Sequence, residues 1–137
     1  LPTLATASER TTQRRRHQED EMYIDGFVAA VPAANLEAYR KMASEAAAIY
    51  REHGALNVVE CWGDDVPEGE VTSFHSAVKR KPDEVVVFAW ISWPSKEARD
   101  EGNGKVMVDP RMERGDEVPP FDARRMIYGG FNVIVDA

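Results

Sequence analysis

Between Asn57 and Pro67 the chain reads Asn-Val-Val-Glu-Cys-Trp-Gly-Asp-Asp-Val-Pro, and Glu60, Cys61, Trp62, Asp64 and Asp65 are the side chains there that could do chemistry. A carboxylate such as Glu60, set beside an indole and withdrawn from water, would have its pKa raised toward that of a useful general base. The competing structural role is an ion pair with Arg125 or Arg111 that fixes strand register, since such pairs perturb pKa values as readily as active sites do. Trp62 offers a flat apolar surface to a ligand, as do Phe88 and Trp90 further along, although such rings equally serve as core or interface anchors. Asp64 is grouped with these three as a ligand contact. Together with Asp65, Glu68 and Glu70 it lacks the loop spacing of a calcium hand, so the acidic run reads as a solvated turn.

His75 is the second candidate proton carrier, because imidazole titrates near neutral pH. His53 falls at the end of a helical pattern, where the helix dipole favours a capping role. Cys61 is the only cysteine, so an intrachain disulfide is excluded and a reducing cytoplasm is the natural setting. His53, His75 and Cys61 do not have the spacing of a zinc site. No phosphate-binding loop, dinucleotide fingerprint or nucleophile elbow occurs, and no cofactor or metal is expected.

These residues must be positioned by six elements. Tyr23 to Val31 is rich in strand formers and stops at Pro32. Leu36 to His53 has helical periodicity, with Asn35 as an expected cap and Gly54 as the stop. Ala43, Ala46, Ala47 and Ala48 leave this helix little bulk, which would let it approach the sheet closely. Ala55 to Trp62 forms a strand, Val71 to Val78 alternates like a hairpin arm, and Glu84 to Ile91 is the third main strand. A second helix begins after Ser95 and ends at Asp109-Pro110, weakened by Gly102 and Gly104. Arg125 to Val135 is the last strand.

Alternation divides the second strand into Ala55, Asn57, Val59 and Cys61 on one face and Leu56, Val58, Glu60 and Trp62 on the other. The smaller set suits the alanine-rich helix. Glu60 and Trp62 are therefore expected on the face away from the helices, with Cys61 buried beneath them and Trp90 joining Trp62.

Residues 1–21 hold almost nothing large and apolar and are expected to be a flexible extension, with Met22 standing where an initiator would be natural. Their charges balance, so the formal charge of −7 belongs to residues 22–137, which read as a single domain. An acidic domain disfavours nucleic acid and anionic membrane surfaces as partners. No run of residues approaches the length of an apolar membrane span.

The order strand, helix, strand, strand, helix, strand is the ferredoxin-like α+β pattern, a βαββαβ sandwich with an extra hairpin arm. Apolar residues on both sheet faces call for a cover on the face without helices, and a second copy of the sheet is the simplest. The segments Tyr23-Ile-Asp-Gly-Phe-Val, Val59-Glu-Cys-Trp, Asp64-Asp-Val-Pro, Asp109-Pro-Arg-Met, Pro120-Phe-Asp and Arg125-Met-Ile-Tyr-Gly-Gly-Phe closely resemble the YbaA-like family of small bacterial proteins, a domain of unknown function. The resemblance runs from Met22 to the C-terminus. It implies a subunit that pairs into a dimeric α+β barrel, an architecture shared with the antibiotic-biosynthesis-type monooxygenases, and it supplies no catalytic residues. The expectation is a cytoplasmic homodimer paired through the sheet face that binds a small organic ligand or a partner. The alternative is a cofactor-independent enzyme of monooxygenase or isomerase type working between the sheets, with Glu60 or His75 as proton acceptor.

Overall fold

A computed structural model describes residues 6–10 and 21–137. Residues 6–10 hold a single helical turn in which Glu9 N–H donates to Thr6 Oγ1 at 3.1 Å and Thr6 N–H donates to Glu9 Oε2 at 2.9 Å, a reciprocal capping box. The rest of the extension expected over 1–21 lies outside the described residues, apart from residue 21.

Four strands form one antiparallel sheet: β1 (Tyr23–Pro32), β2 (Asn57–Trp62), β3 (Glu84–Trp93) and β4 (Ile127–Asn132), in the spatial order β2-β3-β1-β4. The two main helices are α1 (Leu36–Glu52) and α3 (Lys96–Met107), and a short α2 (Phe74–Ala77) lies between β2 and β3. The protein is thus α+β, and its strand order is consistent with a ferredoxin-like arrangement. No helix among the described residues is long and apolar enough to cross a membrane.

The ends of α1 and α3 follow from local chemistry. Gly54, at φ 109°, turns the chain after α1 in a conformation that other residues avoid. Ser95 Oγ accepts from Ala98 N–H at 3.1 Å and starts α3. Gly102 has a specific reason to sit inside that helix: a Cβ there would collide with the Trp93 ring and the His53 carbonyl. Its absence lets α3 lie against Trp93, which is fully buried. Asn35 does not cap α1 with its side chain. Its amide donates instead to the Pro120 carbonyl at 2.9 Å, tying the irregular segment before β4 to the start of the helix.

Tyr23, Ala55, Ile91 and Trp93 form one part of the core on the helix-facing side of the sheet, and Val31, Tyr39 and Val87 form another. On the opposite side Val28, Ala30 and Val86 pack under Val78. The segment expected to be a hairpin arm over Val71 to Val78 is not a strand. Ser73 Oγ accepts from Ser76 N–H at 2.9 Å and nucleates α2, a local hydrogen bond that outcompetes the short alternation. Arg125 fixes the end of this segment by donating to the Val78 and Lys79 carbonyls, at 3.3 and 2.9 Å, and to both carboxylate oxygens of Glu84, at 2.8 and 2.6 Å.

The register of β2 reverses the expected faces. Cys61 stands opposite Phe88 and is exposed, while Glu60 stands opposite Ala89 and Trp62 opposite Val87, both on the helix-facing side. Side-chain size did not decide the matter. The alanines of α1 do not draw the small side chains of β2 toward them but leave unfilled space, lined by Ala43, Ala46 and Ala47.

Candidate functional site

The unfilled space lies between α1 and the sheet as two adjoining cavities of about 300 and about 250 Å³. Tyr39, Ala43, Ala47, Val58, Glu60 and Val87 line both. Strand alternation sends Val58, Glu60 and Trp62 to this side, and the helical repeat sends Tyr39, Ala43 and Ala47 to meet them. Because β2 is an edge strand, its outer side is free of a neighbouring strand, and Glu60 remains exposed on the rim of the site.

One polar contact organises the site. Tyr39 O–H lies 3.0 Å from each oxygen of the Glu60 carboxylate and donates to it. The surrounding side chains desolvate Glu60 and raise its pKa above the ordinary carboxylate range, and the hydrogen bond from Tyr39 opposes that rise by stabilising the anion. Exposure at the rim limits the effect through solvent screening. Tyr39 itself is pushed far above the usual phenol value by burial, then by the charge of Glu60 and the hydrogen bond to it, so it is a fixed proton donor.

Phe121, from the segment anchored by Asn35, packs edge-to-face on Tyr39 with ring centroids 5.6 Å apart. Met112, Phe121 and Met126 close the inner cavity from that side. The loop therefore covers a cavity beneath the helix.

Ion pairing of Glu60 with Arg125 or Arg111 does not occur. Arg125 is occupied by Glu84, and Arg111 pairs with Asp109 at 2.8 Å and Glu52 at 2.6 Å. Among the described residues no basic side chain forms a salt bridge to Glu60.

The other candidates are dispersed. His75 sits beyond the sheet in a separate pocket of about 220 Å³ with Gly63, Asp64, Arg80 and Glu84. Its Nδ1 is 3.2 Å from Glu68 Oε1, without hydrogen-bond geometry. Glu60 and His75 thus belong to different sites, and Asp64 goes with His75. The aromatic trio is divided as well. Trp62 packs beside Val31, Tyr39 and Val87 on the helix side, whereas Phe88 meets the Trp90 ring at a tilt, 5.7 Å between centroids, and the Phe74 ring edge-to-face at 6.0 Å on the other. Trp90 also borders the inner cavity. Phe88, Cys61, Ile127 and Phe131 are exposed. His53 Nε2 lies 2.9 Å from Asp109 Oδ2, joining the end of α1 to the turn after α3. No cluster of three or more potential metal ligands exists among the described residues.

Two residues of structural weight escaped the reading of the sequence. Asp25, buried in β1, accepts from Trp93 Nε1–H at 2.9 Å and from the Arg99 guanidinium at 2.9–3.2 Å, while that guanidinium lies 5.1 Å over the Tyr23 ring. An acidic residue among Tyr23, Phe27, Ala29 and Val31 on one strand face was a readable signal of a buried partner. Tyr39 carried no such signal, because a tyrosine at helical spacing is ordinarily core.

The fold and site define a small α+β protein with a cavity under α1. The chain belongs to the family described as protein of unknown function DUF1428, whose model matches residues 22–123. It is 58% identical over 114 residues to "Uncharacterized protein YbaA" of Escherichia coli K12, an alignment covering 83% of this chain and 97% of that protein. The protein of the same name from Shigella flexneri matches to the same extent.

Proposed function

We propose that this protein is a small-molecule-binding module whose ligand enters between α1 and β2 and meets Glu60 and Tyr39. The single observation that carries this reading is a carboxylate held by a tyrosine hydroxyl, with no basic partner among the described residues, in the wall of a largely apolar cavity. Ligand sites combine an apolar lining with a few placed polar groups in this way. A fragment screen followed by amide chemical shifts of labelled protein tests it. Hits should move the signals of Ala43, Val58 and Glu60, and a screen whose hits all map elsewhere would refute the site.

The raised pKa of Glu60 favours a second reading, proton abstraction from an activated organic substrate without a cofactor. A bound molecule that exchanges a carbon-bound hydrogen with heavy water faster with the protein than with Glu60→Gln would support it. Turnover unaffected by that substitution would remove it.

The subunit is further proposed to work as a homodimer paired through the face that carries Cys61, Phe88, Ile127 and Phe131. The exposed apolar side chains on that face support this, because large apolar surface is often covered by a partner. Light scattering at micromolar concentration should give twice the chain mass. A monomer there would overturn the pairing and leave the cavity reading intact, since Glu60 lies on the other side of the sheet.

A further inference from the structure

We infer that the cavity beside Glu60 takes a small organic cation, a primary or secondary amine carried on an aromatic or aliphatic body. This deepens the ligand-binding reading and rests on it.

The polar atoms of the site point to a donor. Both Glu60 oxygens are acceptors, and the single Tyr39 proton is already given to them. What remains of the Tyr39 hydroxyl is its lone pairs. At this pair a ligand presenting another acceptor would find no proton and would lengthen the list of desolvated oxygens, whereas an N–H donor completes the set.

Charge narrows the class from donor to cation. The buried carboxylates elsewhere on the sheet are each matched by a guanidinium: Asp25 by Arg99 and Glu84 by Arg125. Among the described residues Glu60 has only the phenol. A neutral body filling the cavity would strip water from an unmatched anion, which is unfavourable, and a bound ammonium removes that penalty. The two arginines that border the cavities each already face a carboxylate. Arg40 pairs with Glu37 at 3.2 Å, and Arg114 lies 3.7 Å from Glu117. The body of the ligand is set by the wall, where Val58, Val87 and the alanines of α1 are apolar and the Tyr39 and Trp62 rings favour a nearby cation.

Three probes of one shape separate the possibilities: phenethylamine, 2-phenylethanol and 3-phenylpropanoate, titrated into labelled protein at pH 7. The amine should bind at least about tenfold tighter than the alcohol, the scale of one charge-assisted hydrogen bond, and the carboxylate should bind most weakly. Glu60→Gln should weaken the amine by more than it weakens the alcohol, removing the amine's advantage. In the unsubstituted protein that advantage should fade as acid protonates Glu60, a readout independent of any variant. Equal or tighter binding of the carboxylate or alcohol would overturn the cation while sustaining the cavity as a ligand site. If none of the three moved the cavity signals, both readings would fall.

Discussion

Asp25 and Glu60 both project from the sheet toward the helices, yet they are used in opposite ways. Asp25 is 5% exposed and receives one indole and one guanidinium, which together occupy both its oxygens. Glu60 lies on the edge strand, receives among the described residues only a phenol, and faces space. Glu84 resembles Asp25, for Arg125 grips both of its oxygens. A carboxylate closed off by fixed cations ties elements together and has nothing left to offer a ligand. One left with spare acceptor capacity beside a cavity adds little to the fold and keeps its chemistry available.

That contrast can be broken by substitution. Asp25→Ala should have the largest effect, about 3 kcal/mol of stability lost in urea unfolding, because it strands the half-buried Arg99 and the Trp93 N–H. A loss below 1 kcal/mol would mean that Asp25 is no anchor. Tyr39→Phe should cost about 1 kcal/mol, the worth of one hydrogen bond, since the ring keeps its packing on Phe121. Glu60→Gln should change stability at neutral pH by no more than about 0.5 kcal/mol. A loss as large as that for Asp25→Ala would move Glu60 into the anchoring class.

The pH dependence separates Glu60 from Glu84 most finely. Arg125 holds the Glu84 carboxyl below the ordinary value, chiefly through its hydrogen bonds. Its stabilisation is therefore present above the ordinary glutamate pKa of 4.5 and is lost as pH falls through the lowered value. Glu60 is raised by desolvation, so its folded form holds a proton more tightly than the unfolded chain. Its contribution is full below 4.5 and declines as pH rises through the raised value. Unfolding measured from pH 3 to 7 should show Glu84→Gln removing part of the acid lability and Glu60→Gln removing a small slope of opposite sign. Slopes of equal sign would erase the distinction.

The smallest effect concerns the other sheet face. Cys61 is exposed in the single chain, so its thiol should react with a disulfide reagent at dilutions where the protein is monomeric and slow as pairing covers it. A rate independent of concentration would count against that face as the interface.

Much of the scaffold was legible along the chain. Pro32 and Gly54 bound the first strand and helix as expected, Ser95 caps the last helix, and the two-residue repeat of β3 separates Val87 and Ala89 from Phe88 and Trp90. These are local effects, set by caps, dihedral preferences and period. The candidate site was legible only in its members. Glu60 and Trp62 share a strand face because alternation requires it, but alternation cannot name the element opposite. The size argument chose the wrong side, since it assumed that small helix residues must be filled by small strand residues, whereas here they border a void.

The sequence by itself determined the order of elements, the balance of charge and which side chains travel together. Tertiary structure alone decided that Glu60 turns toward α1 and meets Tyr39, that His75 lies beyond the sheet, and that Arg111 and Arg125 serve other carboxylates. The physical reason is that caps and periodicity act within a few residues, whereas a face becomes inner or outer only when segments 21 to 74 positions apart pack against one another.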